Sequence, residues 1–105
     1  MALVSISGEL DMYVEQGLRD ALAAGARLDS GTVVVDLSGV SFMDSTVCGI
    51  LVAEAKKHRR KGADLVLVSN NRSARVLEVA GIDRVIRVYP TLHAAFQDVL
   101  GGVVT

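Results

Sequence analysis

Ser45 is the side chain best placed to do chemistry in this sequence: the apolar run Val33–Leu37 leads through a short polar stretch to Ser45, where helical spacing begins. A hydroxyl at a helix N-terminus sits among backbone N–H groups without intrahelical partners, at the positive end of the macrodipole. That is a favourable place for a phosphate. The position equally suits plain capping, since a Ser at the helix start stabilises it by about 0.5–2 kcal/mol through its side-chain oxygen. Asp44 has two readings as well, as the N-cap itself or as a carboxylate that orients the Ser45 hydroxyl and meets a modifying enzyme. Nucleophilic hydrolysis is disfavoured, because Met43-Asp44-Ser45-Thr46-Val47 is not Gly-x-Ser-x-Gly and neither His58 nor His93 has triad context.

Cys48 follows Ser45 by one helical turn, which puts the two on a shared face. It reads either as a buried thiol packing like a small hydrophobe or as a thiolate, favoured by the helix N-terminus, that oxidation would modify. His58 and His93 have no i, i+4 partner and no cysteine cluster, which argues against metal binding. The run Lys56-Lys57-His58-Arg59-Arg60-Lys61 reads as the solvated end of a helix, where the dipole favours cations, rather than as a nucleic-acid contact. Asn70 and Asn71 follow an apolar run and read as turn formers, with a share in a binding face as the second reading.

The elements that hold these groups follow from apolar periodicity. Leu3–Ser7 predicts a strand that stops at Gly8-Glu9-Leu10-Asp11. From about Asp11, Val14, Leu18, Ala21 and Leu22 recur on one helical face, and this helix is expected to end near Gly25 or Ala26. Thr32–Leu37 is β-branched and short, a strand covered on both faces at the centre of the sheet, with Ser38–Asp44 as the loop after it. Val47, Ile50, Leu51, Ala55 and His58 then follow helical spacing until Gly62. A strand at Asp64–Val68, a short helix at Ser73–Ala80 ended by Gly81, a strand at Val85–Val88 and, after Pro90, a helix striped by Leu92, Ala95, Phe96 and Val99 complete the pattern. Alternating strands and helices predict an α/β layer fold: one domain over residues 1–105, a parallel or mixed sheet of about four strands, about four helices, and a loose tail at Gly101–Thr105.

Composition narrows the function classes. The chain has 105 residues, half of them apolar, enough for one core. Its net charge of -1 supplies no field that would draw it onto nucleic acid or an anionic membrane. Two Tyr, two Phe and no Trp leave little for base stacking. A single cysteine, no secretion-signal pattern and no apolar run of membrane-spanning length point to a reducing cytoplasm.

Three segments, GELD at Gly8–Asp11, DLSGVSFMDST at Asp36–Thr46 and RVLEVAGIDRVIRVYPT at Arg75–Thr91, resemble the STAS-domain family of anti-sigma factor antagonists. The resemblance covers nearly the whole chain, and its middle segment is highly specific. It implies that Ser45 is the phosphorylated residue and that the unmodified protein binds an anti-sigma factor, which is itself the serine kinase. A serine phosphatase would restore the bare form. No Gly-x-x-x-x-Gly-Lys loop is present, so ATP is expected on the partner and no cofactor on this chain. The resemblance brings Glu9 and Asp11 close to Ser45, and the implied partner face comprises Glu9, Asp11, Asp44, Ser45, Thr46, Val47, Cys48, Gly49, Asn70 and Asn71. Three departures stand out. Val47-Cys48-Gly49 replaces the usual Gly-Leu-Gly, which would put a Cβ near the partner's backbone. Only seven residues precede Gly8, where the family carries a further N-terminal strand, and Ser69-Asn70-Asn71 lacks a common Pro. A STAS docking subunit of a lipid transporter or signalling assembly, working without phosphorylation, is the alternative.

Overall fold

The computed structural model describes residues 1–11, 13, 15–28 and 31–101. Four strands, β1 (Ala2–Leu10), β2 (Thr32–Met43), β3 (Asp64–Ser69) and β4 (Val88–Tyr89), form one sheet in the order β1-β2-β3-β4. All three pairings are parallel, so the mixed alternative falls away. The helices are α1 (Glu15–Leu28), α2 (Ser45–Arg60), α3 (Asn71–Val79) and α4 (Leu92–Val99). Among the described residues β1 is an edge strand, with no further strand beside it.

Parallel strands read as continuous apolar runs because both faces are covered. In β2, Val33, Val34, Val35 and Leu37 are all buried. Val33, Val35 and Leu37 join Leu65 and Leu67 in the larger core, together with Leu18 and Leu22 of α1 and Val47, Ile50 and Leu51 of α2. Val34, Val66 and Val68 face the other way, against Ala95, Leu92, Phe96 and Val99 of α4. That is the stripe expected of the last helix.

The first two strands outrun the sequence expectation. β1 continues through Gly8-Glu9-Leu10, and β2 continues through Ser38–Met43, the segment expected to be a loop. Each extension supplies the other's ladder: Ser7 pairs with Gly39, Gly8 with Val40, Glu9 with Phe42 and Leu10 with Met43. The register shifts between Ser5 and Ser7 and between Gly8 and Glu9, and Gly8 takes a φ of 89° there. Ser and Gly in β2 therefore mark bulges and not a strand end. β3 stops at Ser69, opposite Leu37, so β2 overhangs it by six residues, Ser38–Met43.

Three helix ends also move. α1 is helical from Glu15; Met12 and Val14, at the expected start, lie outside the described residues. Its end runs past Gly25 to Leu28 because Gly25 is a packing residue: a Cβ there would lie 2.7 Å from Val4 Cγ2. α3 starts at Asn71, two residues early, because Asn70 and Ser73 form a capping box. The strand expected at Val85–Val88 shrinks to Val88–Tyr89, since the Val85 and Ile86 amides are drawn into a turn by the Ile82 carbonyl at 2.9 and 2.8 Å. Of the expected tail, Gly101 is described and residues 102–105 lie outside the described set.

Gly25→Ala is expected to destabilise the fold by up to about 2 kcal/mol. The helix would gain roughly 1 kcal/mol of propensity, while forcing a methyl onto a stiff β-branched neighbour costs about 1–3 kcal/mol. Urea unfolding would measure the change. In a Val4→Ala background, where the obstructing Cγ2 is gone, the same substitution should be neutral or stabilising.

Candidate functional site

The α2 N-terminus stands on the overhang of β2. Asp44 is its N-cap, in extended conformation, and one carboxylate oxygen accepts the Val47 N–H at 3.0 Å. The Asp44 N–H donates to the Leu10 carbonyl at 3.1 Å, which ties the start of the helix to the end of β1. Ser45 occupies the first helical position and is exposed, and among the described residues no hydrogen bond engages its hydroxyl. Of the two readings open for each residue, Asp44 takes the capping role and leaves Ser45 free.

The long β1–β2 ladder brings the acidic residues to this lip. Glu9 is exposed and pairs across from Phe42, and Asp11 follows Leu10 directly, accepting the Tyr13 N–H at 3.0 Å. With Asp44 they make the lip around Ser45 anionic. Thr46 and Gly49 are exposed on the first turns of α2, as is Ala53 one turn beyond. A Cβ on Gly49 would meet nothing within 4 Å. The outward face beside Ser45 is thus built of small side chains, and a partner's backbone can lie close to it.

Val47 and Cys48 do not belong to that face. Val47 is fully buried and Cys48 is 3% exposed, both within the larger core. Helical phase decides this: a turn that exposes Ser45, Thr46 and Gly49 must turn the two residues between them inward. The Cβ of Val47 accordingly enters this protein's own interior, not the space near a partner. Burial, and then the Asp44 carboxylate, push the Cys48 thiol up from its ordinary value, outweighing its backbone hydrogen bond. The thiol reading therefore stands over the thiolate one.

Asn70 is separated from Ser45 by the overhang. Its amide nitrogen donates to the carbonyls of Ser38 at 2.9 Å and Val40 at 2.8 Å, while its oxygen accepts the Ser73 N–H at 2.8 Å. Val40 precedes Ser45 by five residues, on the order of 15 Å of extended chain. All polar atoms of the Asn70 amide are committed to holding β2 against α3, so Asn70 is the extended N-cap of α3 rather than a turn former, and its side chain is not a free contact. Asn71 beside it is exposed.

The basic run at the other end of α2 is more structured than a solvated helix end. His58 is buried with Nδ1 2.7 Å from the Glu54 carbonyl, Lys57 reaches Glu54 at 3.3 Å, and Arg59 bonds the Val85 carbonyl and lies 3.5 Å from Asp64. Among the described residues no group of three His, Cys, Asp or Glu gathers to hold a metal, and no helix is long and apolar enough to cross a membrane. A residue that sequence reading misses is Phe42, 53% exposed three positions before Ser45. A loop assignment for Ser38–Asp44 gives an aromatic no facing; pairing with β1 supplies it.

Comparison with known proteins adds to this geometry. Residues 1–95 match the model of the STAS domain. The chain is 30% identical over 102 residues to the anti-sigma-F factor antagonist RsfB of Mycobacterium tuberculosis, covering 97% of this chain and 84% of that one. It is 34% identical over 98 residues to RsfA of the same organism, also an anti-sigma-F factor antagonist, covering 90% and 77%. The crystal structure of an anti-sigma factor antagonist from Mycobacterium paratuberculosis superposes with a TM-score of 0.84 at 32% identity, over 92% of this chain and 83% of that one.

Proposed function

This chain belongs to the STAS-domain family of anti-sigma factor antagonists, and on that premise we propose that it is a cytoplasmic partner switch controlled at Ser45. Unmodified, it binds an anti-sigma factor that carries serine kinase activity and ATP, and the sigma factor is released. Transfer of the γ-phosphoryl group to the Ser45 oxygen ends the complex, and a serine phosphatase restores it. The chain acts by binding and not by catalysis.

The observation that carries this reading is the division of labour at the α2 N-terminus. Asp44 accepts the Val47 N–H, so the fold does not need the Ser45 hydroxyl, which stands exposed and unbonded among the described residues. A phosphate adds about -1.5 to -2 charges there at neutral pH. In the free protein the helix dipole offers it roughly 0.3–1 kcal/mol of stabilisation, set against repulsion from Asp44, Glu9 and Asp11. Pressed into an interface without compensating cations, the same group costs several kcal/mol. The second effect is larger, so the modification dissolves the complex and leaves the fold intact.

Incubation with an active anti-sigma kinase and ATP should add one phosphate to the intact chain, mapped by fragmentation to Ser45 and absent from Ser45→Ala. An unmodified wild-type mass beside a kinase that phosphorylates a known antagonist would refute the switch.

A further inference from the structure

The exposed apolar residues do not end at the Ser45 lip. α3 lies along the overhang of β2, and a groove between them is lined by Phe42, Met43, Arg72 and Val76. One turn beyond Val76, Val79 is 77% exposed. Arg72, Arg75, Val76 and Val79 have the i, i+3, i+4, i+7 spacing of one helical stripe, of which Arg72 and Val76 line the groove with Phe42 and Arg75 and Val79 continue it along α3. Among the described residues Arg72 and Arg75 have no ion pair, whereas Arg19, Arg59 and Arg87 each pair with a carboxylate.

Resting on the partner-switch reading, we propose that the anti-sigma factor makes a second contact here, with an apolar side chain seated between Phe42 and the Val76–Val79 stripe and carboxylates meeting Arg72 and Arg75. Continuity carries the choice of occupant. Phe42 belongs to the overhang that leads straight into Asp44 and Ser45 at the start of α2, so a partner covering the small-residue face of α2 passes directly onto it. Charge carries the orientation. The lip around Ser45 is acidic, with Glu9, Asp11 and Asp44, and the α3 stripe is basic. A partner with a basic region opposite the lip and an acidic one opposite α3 docks in one direction only, because reversal would set like charges face to face. The site where the phosphoryl group must arrive is thereby held in register by residues that the phosphate does not touch.

The test uses the full chain and the anti-sigma factor that the unmodified wild type retains in the presence of ATP analogue. Val79→Asp and the double variant Arg72→Glu/Arg75→Glu alter exposed positions, and circular dichroism melting should match wild type. Each is expected to weaken partner binding by tenfold or more in titration calorimetry and to slow phosphorylation of Ser45 at sub-saturating chain. Affinities within twofold of wild type for both variants would overturn the second contact while leaving the switch at Ser45 standing. A concentration-dependent dimer of the wild type that Val79→Asp dissociates would overturn it in favour of a second copy of this chain. Failure of wild type and Ser45→Ala alike to retain any anti-sigma factor would overturn the underlying reading and this inference with it.

Discussion

A Ser45→Ala chain is expected to hold its anti-sigma factor whether or not ATP is supplied, while the phosphorylated wild type binds at least about 100-fold more weakly. An uncompensated charge at a closed interface costs about 3 kcal/mol or more, and each ~1.4 kcal/mol is a tenfold change in affinity. Ser45→Asp carries one charge on a shorter side chain, so a drop of about tenfold is expected. Calorimetric titration of the three forms checks the order. Their melting curves should be nearly the same, because Asp44 caps α2 and the Ser45 hydroxyl makes no hydrogen bond among the described residues. Gly49→Gln provides a control in which charge plays no part. Its Cβ enters open space, so the helix should gain up to roughly 1 kcal/mol of stability, while the partner loses the flat approach beside Ser45. Stability rising as affinity falls would separate the docking face from the fold. Unchanged affinity would mean that the partner does not cover this turn of α2.

Asn70→Ala is expected to produce the largest stability loss of any substitution at a residue first read as a possible contact, about 2–4 kcal/mol. Removal of a side-chain N-cap accounts for roughly 0.5–2 kcal/mol, and the Ser38 and Val40 carbonyls each lose a donor worth about 1 kcal/mol. For a domain near this size each kcal/mol shifts Tm by about 4–8 °C, so the effect is readily seen by thermal melting. Asn70→Asp divides the two roles, since a carboxylate still accepts the Ser73 N–H but presents oxygen to two carbonyl oxygens. It should fall between wild type and Asn70→Ala. Hydrogen exchange at the amides of Ser38–Met43 would rise in both variants, because these bonds hold the base of the overhang that carries Ser45. A normal Tm together with lost partner binding would instead make Asn70 a contact residue.

Local pattern carried a large part of this protein. The alternation of apolar runs, the stops at Gly62 and Gly81 and the stripe Leu92, Ala95, Phe96 and Val99 are short-range signals, and α2, β3 and α4 fall close to where they place them. The position of Ser45 at a helix start, beside an acid that can cap, is legible for the same reason: capping is decided within a few residues. What lay beyond the sequence depended on distant partners. Ser38-Gly39 looks like the end of a strand until Ser7 comes alongside to pair with Gly39 and Gly8 with Val40. Gly25 looks like a helix stop until Val4 is seen pressed against it. Asn70 looks like a turn residue until the Ser38 and Val40 carbonyls reach its amide.

The family segment around Ser45 named the whole stretch through Gly49 without distinguishing its faces, and only the packed helix divides it. Thr46 and Gly49 turn outward with Ser45, while Val47 and Cys48 turn into the core. The sequence by itself therefore determined the elements, the α/β layering and the place of Ser45 at a helix start, all consequences of spacing along the chain. The tertiary structure alone decided how far β1 and β2 extend, which side chains a partner can touch and why the amide of Asn70 is unavailable. Those depend on pairing and burial between residues up to about thirty positions apart, where chain connectivity imposes no geometry of its own.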